Sequence, residues 1–180
     1  MKVMKKIILH NKEFEVFISA RQISIRLKEL AAQLQNDLQG KDVLFLGILN
    51  GAFVFASDLL RLIDMDCRIS FVKVASYRGT ASTGEVRELI GLAEDLSGKC
   101  VVVVEDIIDS GLSMDRVIDM IHIQSPAEVR IATLLFKEES FRGKHTPDYV
   151  GFSIPARFVV GYGLDYNGLG RNYDSIYITT

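Results

Sequence analysis

The stretch Val101-Val-Val-Val-Glu-Asp-Ile-Ile-Asp-Ser-Gly-Leu-Ser-Met114 decides how this chain folds. An apolar run from Cys100 to Val104 stops at Glu105 and Asp106. Asp109, Ser110, Gly111 and Ser113 follow within a few residues, and an amphipathic segment then begins. An apolar run without alternation marks a strand buried on both faces, as in a parallel sheet. The small residues after it predict a tight turn into a helix. Such a helix start offers unpaired backbone N–H groups and a positive dipole end to a phosphate. The two acids are hard oxygen donors, suited to sugar hydroxyls and to Mg²⁺. Helix capping alone does not call for two adjacent acids at a strand end and a third at the turn.

The flanking sequence repeats the strand-then-helix pattern. Ser19 to Leu38 reads as a helix, with Ser19 and Gln22 forming a capping box and Ile23, Leu27, Leu30, Ala31, Leu34 and Leu38 on one face. Gly40 is its stop. Val43 to Leu49 is a buried strand, and Gly51 to Ile63 a helix. Cys67 to Ala75 and Glu85 to Leu92 read as two strands joined by a long polar loop. Val101 to Glu105 is the central strand and Leu112 to Ile123 the helix after it. Glu128 to Phe136, Phe158 to Gly161 and Ser175 to Thr179 are further strands, and Ile7 to Ile18 is a strand or an extended arm. The alternation predicts an α/β fold with a central, mostly parallel twisted sheet flanked by helices.

Bulk properties narrow the function. With 180 residues the chain is long enough for one domain with a full core. Lys plus Arg number 21 and Asp plus Glu 23, so the basic excess of a nucleic-acid-binding face is missing. No apolar run reaches the roughly 20 residues of a membrane helix, and the N-terminal apolar stretch is too short for a signal peptide. A cytoplasmic protein without membrane or nucleic-acid partner is expected. Cys67 and Cys100 lie in or beside apolar runs and read as buried, reduced thiols. A P-loop, a full dinucleotide fingerprint, a nucleophile elbow and metal-ligand spacing among His10, His122 and His145 are all lacking.

The segment Glu105-Asp-Ile-Ile-Asp-Ser-Gly111 resembles the phosphoribosyl pyrophosphate (PRPP) signature of the type I phosphoribosyltransferases, and its form is most similar to the hypoxanthine-guanine branch. Three more stretches carry the likeness in the expected order: Leu49-Asn-Gly-Ala52, Ser76-Tyr77, and Phe158-Val-Val-Gly-Tyr-Gly-Leu-Asp-Tyr166. The resemblance implies a single domain, with a core of about 19–155 and a small hood from about 1–18 and 156–180. It implies Mg²⁺-dependent transfer of the 5-phosphoribosyl group from PRPP to hypoxanthine and/or guanine, giving IMP or GMP and pyrophosphate, in a homodimer or homotetramer.

Residue roles follow from the same likeness. Glu105 and Asp106 hold the ribose and bind metal, and Asp109 is the acid/base for purine N7. Asp109, Ser110, Gly111, Leu112 and Ser113 form the loop that wraps the 5′-phosphate. Asn50 and Gly51 bind pyrophosphate through the backbone, with a cis Leu49–Asn50 peptide; the family commonly has Lys where this chain has Asn50. Ser76 and Tyr77 lie on a lid that excludes water. Lys137 donates to a 6-oxo group, Phe158 stacks on the base, and Val159 meets the base edge through its backbone. Asp165 places a second Mg²⁺ and contributes to the purine pocket, and Arg171 grips pyrophosphate. Two rivals stand beside this reading: a xanthine-preferring or other phosphoribosyltransferase, and a non-catalytic regulator on the same fold.

Overall fold

The computed structural model describes residues 6–76, 86–90 and 94–180. The chain runs β1 (Lys6–Leu9), β2 (Lys12–Ile18), α1 (Ala20–Leu38), β3 (Val43–Leu49), α2 (Phe53–Leu60), β4 (Arg68–Ser76) and β5 (Val86–Ile90). It continues through β6 (Cys100–Ile108), α3 (Leu112–Ile123), β7 (Glu128–Phe136), β8 (Tyr149–Ser153), β9 (Val159–Val160) and β10 (Ile176–Thr179). The main sheet has the order β5-β4-β3-β6-β7-β8, and every pairing except β4–β5 is parallel. That is the mostly parallel sheet expected. A second sheet, β1-β2-β10-β9, is antiparallel and forms the hood from the two chain ends.

Period-two geometry explains why both faces of the central strands are apolar. Val43 and Phe45 face one layer with Cys100, Val102 and Val104. Leu44, Leu46 and Ile48 face the other with Val101 and Val103. α1 and α2 cover the first face and α3 covers the second. All six apolar residues expected on the inner stripe of α1 are buried. Its N-terminus has the capping box: the Ser19 hydroxyl accepts from the Gln22 N–H, and Gln22 Oε1 accepts from the Ser19 N–H at 3.0 Å. Arg26 ties α1 to β8, donating to the carbonyls of Val150 and Gly151 at 2.8 Å each.

Four features depart from the expectations. β6 does not end at Glu105; it runs on to Ile108, because Ile107 and Ile108 pair with Leu135 and Phe136 of β7. Both acids therefore sit within a strand. α2 is shorter than the apolar pattern suggested, spanning Phe53–Leu60. β8 was not anticipated. Cys67 is exposed, just ahead of β4, whereas Cys100 is buried and its burial pushes the thiol up to about 11. Among the described residues, no helix is long and apolar enough to cross a membrane.

Candidate active site

β6 delivers its acids beyond the reach of β3. The β3–β6 ladder stops at Gly47 paired with Val104, while β6 still pairs with β7. Past that point Glu105 Oε1 accepts the Asp106 N–H at 3.1 Å, and Asp106 Oδ1 accepts the Ile107 N–H at 2.8 Å. Glu105 is half-buried and Asp106 buried. Burial holds both carboxyl groups above their ordinary range, and the neighbouring charge of Asp106 pushes Glu105 further. The rise at Asp106 is tempered by hydrogen bonds from Glu105 and the Ile107 N–H and by the charge of Arg171. Two acids crowded out of water leave a site that favours a positive charge.

After β6 the chain turns through Asp109 and Ser110 to Gly111, which adopts φ +80° and opens α3. A Cβ at Gly111 would lie 2.3 Å from the Phe141 ring, so glycine is required by conformation and by space. The first turn of α3 leaves N–H groups without intrahelical partners. Glu105, Asp109, Ser110, Gly111 and Ser113 all line a cavity of about 140 Å³ at this turn. A larger, mostly apolar cavity of about 690 Å³ lies between α1, α2 and residues 171–174. It is lined by Arg171 but by none of the acids of β6, of which Glu105 borders the smaller cavity.

Lys137 comes from the end of β7. It is buried, with its N–H held by the Ile108 carbonyl at 3.0 Å, and its Nζ lies 2.6 Å from Asp109 Oδ2. The structure thus joins two residues that the sequence reading gave separate roles.

Two further loops close on the acids. The Leu49–Asn50 peptide is cis. A Cβ at Gly51 would fall 1.7 Å from Asp106 Oδ2, so the 49–52 turn lies directly against that carboxylate. Gly163 in turn packs on the Gly51 carbonyl, which a Cβ there would meet at 2.2 Å. Arg171 spans this last loop, donating to the Gly163 carbonyl at 2.6 Å and pairing with Asp165 at 2.6 Å. Arg171 therefore joins Asp165 to the Asp106 neighbourhood. Among the described residues no three His, Cys, Asp or Glu side chains converge to hold a metal by themselves.

Phe158 and Val159 belong to the hood. Val159 is buried in β9 opposite Ile178. Phe158 is 40% exposed, with Tyr166 edge-on at 5.5 Å and Lys12 Nζ 5.1 Å from its ring centre. Ser76 ends β4, and Tyr77, with the rest of the expected lid, lies outside the described residues.

Sequence reasoning missed Asp115, which is buried in the first turn of α3. It accepts the Lys144 N–H at 2.9 Å and the His145 N–H at 3.1 Å, and its Oδ1 lies 3.0 Å from His145 Nδ1. Burial pushes this carboxyl up, but the bonds from Lys144 and His145 outweigh it and hold it below the ordinary aspartate value. The only sequence signal was an acid one turn into a helix, which also fits a simple dipole partner.

Known proteins share this arrangement of chain. Residues 18–167 match the phosphoribosyl transferase domain family. A hypoxanthine-guanine phosphoribosyltransferase of Staphylococcus aureus is 40% identical over 165 residues, covering 91% of this chain and 92% of that protein. A bifunctional TilS/HprT protein of Listeria monocytogenes is 39% identical over 165 residues, and there the match spans 26% of the larger protein. A crystal structure of a Bacillus anthracis hypoxanthine-guanine phosphoribosyltransferase superposes with a TM-score of 0.87 at 40% identity, covering 92% of this chain and 98% of that one. A Trypanosoma cruzi hypoxanthine phosphoribosyltransferase gives a TM-score of 0.87 at 29% identity, covering 97% and 95%.

Proposed function

The chain belongs to the phosphoribosyl transferase domain family, and on that premise we propose that it transfers the 5-phosphoribosyl group from PRPP to a 6-oxopurine, hypoxanthine and/or guanine. The products are IMP or GMP and pyrophosphate, so the role is purine salvage. One observation carries the choice of base: Lys137 Nζ and Asp109 Oδ2 lie 2.6 Å apart beside the 105–114 cavity. On a 6-oxopurine, O6 and N7 are neighbouring atoms that two adjacent polar groups can engage together. Lys137 donates to O6 and Asp109 takes the N7 proton, which makes the base a better nucleophile. Adenine presents an amino donor at the same place, so two donors would face each other.

The rest of the site supports the same chemistry. Glu105 and Asp106 accept hydrogen bonds from the ribose hydroxyls. The N–H groups of Ser110 to Ser113 and the two serine hydroxyls hold the 5′-phosphate. Asn50 and Gly51 present backbone to the pyrophosphate, and Arg171 supplies its charge, with Asp165 as its present partner. Phe158 offers an exposed ring for the base and Val159 its backbone.

The residues also suit Mg²⁺. Glu105 and Asp106 are hard oxygen donors whose mutual repulsion a dication relieves, and Mg²⁺ commonly takes one or two carboxylates and completes its shell with substrate oxygens and water. Asp165 would assist through water. When bound, the ion neutralises charge on the leaving pyrophosphate. The reading includes a cytoplasmic homodimer or homotetramer, which size-exclusion chromatography tests.

The direct test incubates the protein with PRPP, Mg²⁺ and one base at a time, and measures pyrophosphate. Hypoxanthine or guanine should release it, and adenine should not. Release with none of the purines refutes the proposal in its transferase form, and release with xanthine alone refutes the choice of base.

A further inference from the structure

We propose that Asp115 is a positioning residue for the phosphate loop, acting through the backbone of residues 141–145. The inference rests on the transferase reading above for its functional consequence, but the contacts stand without it. Three attachments join the segment 110–115 to the segment 141–145. The Ser110 carbonyl accepts the Arg142 N–H at 2.9 Å. Gly111 packs on the Phe141 ring and on the Gly143 Cα, which a Cβ at Gly111 would meet at 3.1 Å. Asp115 receives the Lys144 N–H, the His145 N–H and the His145 ring at 2.9 to 3.1 Å.

The first two attachments are made by residues proposed to wrap the phosphate. The third locks them. A buried carboxylate is costly unless its lone pairs are used, and Asp115 is 8% exposed with three donors aimed at it. All three come from a segment about 30 residues away, so they fix one piece of chain against the other. Phe141 adds an edge-on contact with Phe136 at 5.3 Å, which anchors the outer segment to the end of β7. The groups facing the carboxylate are Lys144 and His145; the Arg142 guanidinium turns away to the Glu139 and Phe141 carbonyls. With the clamp in place, the N–H groups of Ser110 to Ser113 are held in shape before any phosphate arrives. That is preorganisation, which improves binding by cutting the ordering cost.

The test uses Asp115→Ala, Asp115→Asn and His145→Ala in the full chain, with two readouts. Steady-state kinetics should show the KM for PRPP rising about tenfold in Asp115→Ala, equivalent to about 1.4 kcal/mol. Inhibition by pyrophosphate should stay near wild type, because the 49–52 turn and Arg171 lie on other loops. The KM for hypoxanthine should move less than that for PRPP, because Lys137 and Phe158 lie outside the clamped turn although Asp109 begins it. Asp115→Asn keeps one acceptor and should fall between. His145→Ala keeps both backbone donors satisfied and should give a much smaller rise. Amide hydrogen exchange of the ligand-free protein should speed up at residues 110–113 in Asp115→Ala. A general loss of stability would instead lower kcat and all affinities together and speed exchange throughout. An active wild type with unmoved PRPP KM and unmoved loop exchange in Asp115→Ala overturns the clamp alone. A wild type without turnover, whose loop still loosens in Asp115→Ala, sinks the transferase reading and leaves the clamp standing.

Discussion

Replacing Lys137 with methionine isolates the group proposed to choose the base. Methionine keeps the buried apolar stem and removes only the ammonium, so packing is nearly conserved. The lost ion pair has one well-solvated partner, since the Asp109 side chain is 54% exposed. Its contribution to stability is therefore about 0–1 kcal/mol, a shift of at most about 4 °C in Tm for a chain of this size. The binding effect is larger. A hydrogen bond from a charged donor to O6 contributes about 1.5–3 kcal/mol, which corresponds to roughly tenfold to 150-fold in kcat/KM for hypoxanthine. Adenine makes no such bond, so its kcat/KM should hold or rise. Steady-state kinetics with both bases, at saturating PRPP and Mg²⁺, gives the ratio directly. If the preference for hypoxanthine over adenine stays within about threefold of wild type while Tm is unchanged, Lys137 does not read the 6-oxo group.

Other changes test other parts. Asp109→Ala should lower kcat by about 10²–10⁴ while calorimetry shows PRPP affinity little altered; equal losses in both would make Asp109 a binding residue. Gly51→Ala places a methyl group on Asp106, so it should destabilise the protein by about 1–3 kcal/mol and weaken pyrophosphate inhibition, both visible in melting and inhibition curves. The Asp115 carboxyl is held below its ordinary value in the folded chain, so it adds stability above the unfolded pKa of about 3.9. That contribution should vanish as pH falls through the lower folded value, and Asp115→Ala should flatten this acid limb of the stability curve.

The pattern of apolar residues made most of the fold legible. Val43–Leu49 has the expected ends because an apolar run bounded by polar residues marks it. Leu112–Ile123 starts where Gly111 turns the chain, and Glu128–Phe136 stops where its apolar end gives way to Lys137 and two acids. β6 overran its expected end because backbone pairing with β7 tolerates acids that the hydropathy pattern treats as a stop. β8 escaped notice because five residues with a central glycine and two polar flanks give little periodic signal. Pairing of β2 with β10 joins residues more than 150 positions apart, and nothing in either local pattern specifies that partner. In the site, the acidic turn and the family likeness pointed to Glu105, Asp106 and Asp109. The Lys137–Asp109 contact and the Asp115 clamp depend on side chains meeting across loops, which spacing along the chain does not encode.

A crystal structure with IMP bound tests the central claim most directly. The account predicts the 5′-phosphate within about 3 Å of the N–H groups of Ser110 to Ser113, ribose hydroxyls on Glu105 and Asp106, and Lys137 at O6. A phosphate seated instead in the cavity between α1 and α2, with the 109–113 turn empty, would contradict it.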